Sequence, residues 1–386
     1  MIGLFVFSFT RWIRGFKSAK LHLKKQNLIG GLLLLFFLLN ILFAPRPLLS
    51  FYGVVKLAEF GFLIFYLTKI IGEKLQLQFI SFLFAISSLF ESLLAILQYL
   101  HQGSFNGIFY FLGERAFTGA TPGIANASLN GMLVLRPYAT FPHPNVLAGY
   151  LLISMVLVWS FVLQSDRRLM QLFGAISLVV SSIALLLTFS RVNILLWIVF
   201  VFALLIRMGI RSLKSWETKL LTCAIIALVL IGISFVSLSR EVVTRFAQTS
   251  LSEESIVERG ELLSASWSMI QEHPLVGVGL DNFIPSLAPL QKPLPLGLYL
   301  QPVHNIFVLV TTETGVIGLG LFLWLLLTAL LRIRKQESRI RVTFSVLLLI
   351  IVVTGVFDHY WLTLQQGQLL FATVIGLSWA KMKKEI

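Results

Sequence analysis

Long apolar runs, each bounded by short polar or basic clusters, dominate the chain from residue 28 to residue 380. A helix needs about 17–25 predominantly apolar residues to cross the hydrocarbon core of a bilayer. Ten runs meet or approach that length, at roughly 28–44, 50–70, 77–99, 145–163, 170–189, 192–206, 218–238, 304–331, 343–357 and 362–380. The pattern predicts an all-α, polytopic transmembrane bundle, with residues 1–386 forming one membrane domain. Two inter-span segments are long, 100–144 and 239–303. Loops of that length are functional or disordered, and their apolar and aromatic content predicts folded caps. Residues 258–273 read as an amphipathic helix stopped by Pro274. Residues 1–26, with Phe and Trp among spaced Arg and Lys, read as an interfacial segment rather than a cleaved signal.

Composition supports a membrane protein: 57% of residues are apolar and 12% charged, against about 45–50% and 25% in soluble domains. The net charge of +14 is explained by topology. With the N-terminus in the cytoplasm, twenty-two basic residues fall in cytoplasmic segments and eight in outer ones, as the positive-inside rule requires. The basic excess therefore gives no reason to expect nucleic acid, and both termini are placed in the cytoplasm. The single cysteine, Cys223, allows neither an intramolecular disulfide nor a Cys-based zinc site.

No phosphate-binding Gly-rich loop, HExxH, Cys/His cluster or Gly-x-Ser-x-Gly elbow occurs, so no ATP, metal or other cofactor is expected. Ionisable residues deep in spans are Lys56, Glu59 and Glu91. Lys56 and Glu59 are three apart on one helix face and suit a structural ion pair.

The candidate chemistry lies in the outer segments. Arg191 follows Thr188-Phe189-Ser190 at a tight turn. It is either a snorkelling side chain or a fixed cation at the mouth of a bundle cavity. Arg136 begins Arg136-Pro137-Tyr138-Ala139-Thr140-Phe141-Pro142-His143-Pro144-Asn145, a rigid lead into span four with Asn145 as its expected N-cap. His143 is either turn structure or site. Arg259 opens the amphipathic helix and is either a ligand or a solvated charge. His304 sits at the N-terminal end of span eight, where the helix dipole favours a neutral, basic imidazole suited to a general base. Asp358, before His359 at the turn between spans nine and ten, can orient an imidazole, pair an arginine or cap the turn. Several arginine forks with one histidine suit a lipid-pyrophosphate substrate and an acceptor hydroxyl.

Three stretches then resemble the O-antigen ligase and polymerase family of bacterial envelope glycosyltransferases. They are Arg136 through Tyr150; Thr188-Phe189-Ser190-Arg191; and Arg259 through Trp267, His273 through Phe283, His304-Asn305 and Glu313 through Gly318. The resemblance implies a GT-C-like bundle with a helical extracytoplasmic cap, acting on the outer face of the bacterial cytoplasmic membrane. The implied enzyme is a metal-independent, inverting glycosyltransferase. Its donor is an undecaprenyl-pyrophosphate-linked glycan and its acceptor a glycan, lipid or protein hydroxyl, with membrane lipids around it. Carried over by motif, Arg191 and Arg259 bind the donor pyrophosphate, Arg136 adds a cation, His304 activates the acceptor, and Asp358 matches by its place after span nine. The family is commonly described with twelve spans, against ten read here. Ligase and repeat-unit polymerase share this donor chemistry. A lipid-linked glycan flippase is the alternative of another class, but it calls for charges through the bilayer interior rather than at its rim.

Overall fold

A computed structural model describes residues 23–71, 77–129, 132–163, 165–210, 254–287 and 301–380. In chain order the helices are α1 (Leu23–Leu42), α2 (Pro47–Tyr66, running into a π turn, Leu67–Ile71), α3 (Leu77–His101) and α4 (Ile108–Phe111). Strands β1 (Asn126–Leu129) and β2 (Met132–Leu135) follow. Then come α5 (Pro144–Leu157, with a π turn, Val158–Val162), α6 (Arg168–Leu187), α7 (Arg191–Ile210), α8 (Glu254–Glu272), α9 (Phe283–Leu287), α10 (Ile306–Ile333), α11 (Ser338–Phe357), α12 (Tyr360–Thr363) and α13 (Gln365–Trp379).

The chain is a helical membrane protein, but the count of ten spans is not reached among the described residues. Six helices are long and apolar enough to cross a bilayer: Pro47–Lys69, Leu77–His101, Pro144–Val162, Arg168–Leu187, Ile306–Ile333 and Ser338–Phe357. The runs at 28–44 and 192–206 fall on α1 and α7, which include the apolar stretches Gly30–Leu42 and Arg191–Leu204. The last run begins late because the short α12 turns first, leaving α13 with 15 residues. The run 218–238 lies outside the described residues, as do 1–22 and the 239–253 and 288–300 parts of the second long loop.

The expectation of an all-helical chain is corrected in the first long loop. Residues Asn126 and Leu135 pair at one end of an antiparallel β1–β2 hairpin, and Leu129 and Met132 at the other. The two residues between the strands are Asn130 and Gly131, a pair strongly favoured in two-residue hairpin turns.

Helix α5 runs through the centre of the bundle, buried along most of its length, with α3, α6, α7, α11 and α13 around it. Helices α3 and α6 approach closely because small residues line their contact. Ser88 Oγ meets Ser177 Oγ at 3.0 Å, and Ser92 donates to Ser181 at 3.0 Å, with Ala85 and Ala95 fully buried on the same face of α3. Small residues with hydroxyl cross-links are how helices associate when the surroundings are as apolar as the core. The opposite face of α3 exposes Ile86, Phe90, Leu93, Leu97 and Leu100, as a lipid-facing stripe would.

Helix α10 is broken at Gly315 (φ 65°, ψ −172°), and the loop after α8 is fitted into the break. Val278 N donates to Thr312 O at 2.9 Å, Gly279 N to Glu313 O at 3.0 Å and Val316 N to Pro274 O at 2.9 Å. Asn40 of α1 adds Nδ2 bonds to Glu313 O and Val276 O at 2.9 and 2.8 Å. Carbonyls that a broken helix would leave unpaired are thereby satisfied. Gly277 (φ 71°) must lack a side chain, since a Cβ would stand 2.3 Å from the Glu313 carbonyl carbon. Asn282 locks the other side, accepting from Arg46 N at 2.9 Å and donating to Ser50 Oγ at 2.9 Å.

Candidate functional site

The site forms where several helix ends meet. Helix α6 ends at Thr188, and the chain reverses through Phe189, whose φ is 51°, so that α7 starts at Arg191. The buried Thr188 leaves its carbonyl to Arg136, whose Nε donates to it at 2.6 Å. A cation is well placed there, against the negative end of the α6 dipole. Arg136 Nη2 also donates to Asn145 Oδ1 at 2.7 Å, and Asn145 Nδ2 donates to Asp358 Oδ2 at 2.9 Å. One amide thus bridges the segment before α5 to the end of α11.

Asn145 is not the N-cap of α5, contrary to expectation. The cap is His143, whose Nδ1 accepts from Asn145 N at 3.1 Å. Pro144 takes the first helical position, where its missing N–H costs nothing, and this leaves the Asn145 side chain free to bridge.

The Arg136–Pro144 segment is held in turn by α3. Gln98 Oε1 accepts from Tyr138 N and Ala139 N at 3.0 and 2.7 Å, and Glu91 accepts from Thr140 N and Oγ1 at 3.1 and 2.7 Å. Ala139, with φ of 49°, sits in a backbone region few side chains adopt, and these bonds fix it there. Glu91, read from the sequence only as a charge within a span, is thus a clamp on the site segment. Lys56 and Glu59 pair as the spacing suggests, at 3.0 Å, on α2.

His304 lies just before α10, whose cap is Asn305: its Oδ1 accepts from Phe307 N and Val308 N at 2.9 and 3.1 Å. The His304 ring meets His359 edge-on, with centroids 5.1 Å apart and planes at 71°. His304 Nδ1 is buried and has no hydrogen-bond partner among the described residues. His359 N donates to Asp358 Oδ1 at 2.8 Å, and its Nδ1 lies 2.6 Å from Thr363 Oγ1. That hydroxyl also reaches His359 O at 3.1 Å. When its one proton serves the carbonyl, the ring proton sits on Nδ1 and leaves Nε2 bare.

The electrostatics tie the remaining residues to this centre. Burial lowers Arg136 to a pKa of about 10, with the Arg191 charge adding to the effect and Asp358 opposing it; the guanidinium stays charged at neutral pH. Burial also lowers His143 to about 4, helped by Arg136, and lowers His304 to about 4, helped by His359 and Arg259 and opposed by Asp358. His359 is lowered by burial and by Arg259. Burial would raise the Asp358 carboxyl, but His359, Asn145, His143 and His304 outweigh it and hold the group below its ordinary value. All five residues singled out from the sequence, Arg136, Arg191, Arg259, His304 and Asp358, therefore share one electrostatic cluster drawn from separate elements. Arg259 lies one turn into α8 rather than at its start. The N-termini of α5, α7 and α10 add their positive ends. Cations, three helix N-termini and neutral imidazoles make an environment suited to a polyanion.

The sequence reading gave no site role to His359, Thr188 or the Asn145 bridge. Adjacency to Asp358 was the available signal for His359; Thr188 acts through its backbone carbonyl, which no side-chain pattern reveals. The Gly277–Phe283 stretch, part of the motif resemblance, lies at the break in α10 and holds that helix.

Residues 176–323 match the family model for O-antigen ligase. Of the three stretches carrying the resemblance, the second and third lie within the O-antigen ligase match, and with them Arg191, Arg259 and His304. Arg136 and Asp358 lie outside it and are tied to the matched part by the bonds through Thr188 and Asn145. A search of curated proteins finds no match. The O-antigen ligase match, together with the apolar helices, supports a multi-pass membrane enzyme of the ligase or polymerase type in polysaccharide biosynthesis.

Proposed function

We propose that the chain transfers a glycan from undecaprenyl pyrophosphate to an acceptor hydroxyl, as an O-antigen ligase, on the outer face of the bacterial cytoplasmic membrane. The observation that carries this reading is the meeting of Arg136, Arg191, Arg259, His304 and Asp358 in one cluster. The site is assigned to the outer face because His304 precedes α10 and the basic cluster Arg332, Arg334 and Lys335 follows at that helix's other end, the end the positive-inside rule places in the cytoplasm. In this reading 1–386 is one membrane domain, with 100–144 and 239–303 as its two long outer loops.

The reaction is a displacement at the anomeric carbon, inverting and independent of metal. The acceptor oxygen bonds to that carbon and passes its proton to His304. The anomeric C–O bond breaks, and its electrons leave on the lipid pyrophosphate. Arg191 and Arg259, with Arg136 behind them, stabilise the growing negative charge; one such preorganised donor is worth about 2.7–4 kcal/mol. Burial leaves His304 neutral and weakly basic. Bound pyrophosphate brings negative charge, which favours the imidazolium and raises the basicity of the ring when a proton must be taken. Asp358 stabilises the same imidazolium.

The test is transfer by purified protein in detergent, with a defined undecaprenyl-pyrophosphate glycan and a hydroxyl acceptor. Product formation is expected, and its absence across competent acceptors overturns the reading. A pure flippase gives no product in detergent. Attachment to an acceptor not carried on undecaprenyl pyrophosphate marks a ligase, and lengthening of the lipid-linked glycan a repeat-unit polymerase.

A further inference from the structure

The segment joining α3 to the β hairpin is built inside out. Its polar groups face inward onto one buried carboxylate: Glu114 Oε1 accepts from Phe105 N at 3.0 Å and from Gln98 Nε2 at 2.8 Å, and Oε2 accepts from Asn106 N at 2.7 Å. Its apolar side chains face outward. Phe111 is 85% exposed, Ile108 72%, Tyr110 61% and Leu112 53%, on a turn whose backbone is pinned rather than loose. A segment folded for water would put those rings against the protein. The outward side chains follow directly in the chain from the lipid-facing stripe of α3, which ends at Leu100, itself 71% exposed. Tyrosine next to the end of a span is what bilayer interfaces select, and phenylalanine and leucine are residues that interfacial segments bury in the lipid.

We infer that residues Phe105–Leu112 are immersed in the membrane and lie along the boundary of the leaflet next to the polar cluster, with lipid as their partner. The immersed loop is joined to the cluster by two ties. Gln98, which bonds Glu114, also holds Tyr138 and Ala139. Arg115 Nη2 donates to Pro142 O at 2.7 Å while its guanidinium lies over the Tyr138 ring at 5.1 Å. The loop therefore sets the depth at which the Arg136–Pro144 segment rides on the bilayer. This rests on the membrane character of the chain and is independent of the reaction proposed above.

Site-directed spin labelling tests it on the full chain. In a Cys223→Ser background, Phe111→Cys and Ile108→Cys are labelled with a nitroxide and reconstituted into phosphatidylethanolamine–phosphatidylglycerol vesicles at high lipid dilution. Collision with oxygen and with a water-soluble nickel chelate is then measured. Leu97→Cys, on the lipid face of α3, and Ser264→Cys, on the exposed side of α8, give the lipid and water references. The expected oxygen-to-nickel ratio at both loop positions is close to that at Leu97 and several-fold above that at Ser264. A ratio matching Ser264 overturns the inference. So does nickel protection accompanied by dipolar broadening between labels, which marks a second copy of the chain as the cover. If Phe111→Cys fails to accumulate, Ile108→Cys decides alone.

Discussion

Asn145 donates its side-chain N–H to Asp358 at 2.9 Å, across 213 residues of sequence, while its Oδ1 takes a bond from Arg136. A single neutral amide satisfies a cation and a carboxylate at once. Asn145→Asp keeps the shape, removes the donor and sets a second negative charge against Asp358. A buried group left unpaired costs about 1–3 kcal/mol, so transfer should fall about ten- to a hundredfold. Measuring transfer and thermal unfolding in detergent on the same preparation checks this. A fully active Asn145→Asp would show that the bridge positions nothing.

The arginines should separate by geometry. Arg191→Ala and Arg259→Ala are expected to lower transfer by about 10²–10³-fold each, the usual loss for one charge-stabilising donor. Lysine at either position keeps the charge without the two-pronged fork and should recover only part of the rate. His304→Ala should lower transfer by about 10²–10⁴-fold. All three variants should still accumulate in the membrane fraction, which quantitative immunoblotting reads.

Acid should weaken the fold through its buried imidazoles. His143 and His304 have folded-state pKa values of about 4, below the ordinary value near 6.5. The unfolded chain thus binds protons first as pH falls. Their contribution is complete above about pH 6.5 and is lost as pH drops towards 4. For His143 the reason is visible: its Nδ1 accepts the Asn145 N–H, and a protonated nitrogen cannot accept. The thermal midpoint in detergent should fall between pH 7.5 and 4.5. His143→Asn keeps a capping acceptor without titrating and should flatten that slope.

Two glycine substitutions should diverge. Gly277→Ala forces a Cβ to 2.3 Å from the Glu313 carbonyl carbon at a φ of 71°, and should cost at least about 1–3 kcal/mol or prevent accumulation. Gly260→Ala, in α8 with nothing within 4 Å of the added carbon, should be neutral or stabilising by up to about 1 kcal/mol. Thermal midpoints of the two variants decide the matter, and equal losses would show that the loop does not clamp α10.

The hydrophobic runs disclosed the helices well, because span length and apolar content are imposed by lipid thickness. Leu77–His101 and Pro144–Val162 lie within a few residues of the runs 77–99 and 145–163. The break at Gly315 was not legible, since it depends on Asn40 and the 274–280 loop, both distant in sequence from α10. The hairpin is absent from the sequence reading although Asn130-Gly131 is a local signal, because apolar and aromatic content predicts a folded cap without specifying strands. For the site, the residue types were legible and their partners were not. Arg136, Arg191, His304 and Asp358 stand out as polar groups at span ends, and Arg259 as a cation opening the amphipathic helix. The bonds that hold Arg136 and Asp358 run through a backbone carbonyl at Thr188 and an amide at Asn145, and neither announces itself in a one-dimensional pattern.

The discontinuity at Gly315 also fixes an altitude. Helix α10 has 28 residues, ~42 Å at 1.5 Å each, well beyond a hydrocarbon core of ~30 Å. Outward-facing bulky side chains begin at Val316 and Ile317 and continue through Leu323, Trp324, Leu327 and Leu331. That lower shaft is ~27 Å long and by itself matches the oily slab. In the proposed orientation the upper piece, crowned by Asn305 and His304, adds ~13 Å of helix beyond that shaft, enough to reach the level of lipid phosphates. A diphosphate tethered to a polyprenyl tail would rest at that same height without being hauled in or out of the bilayer.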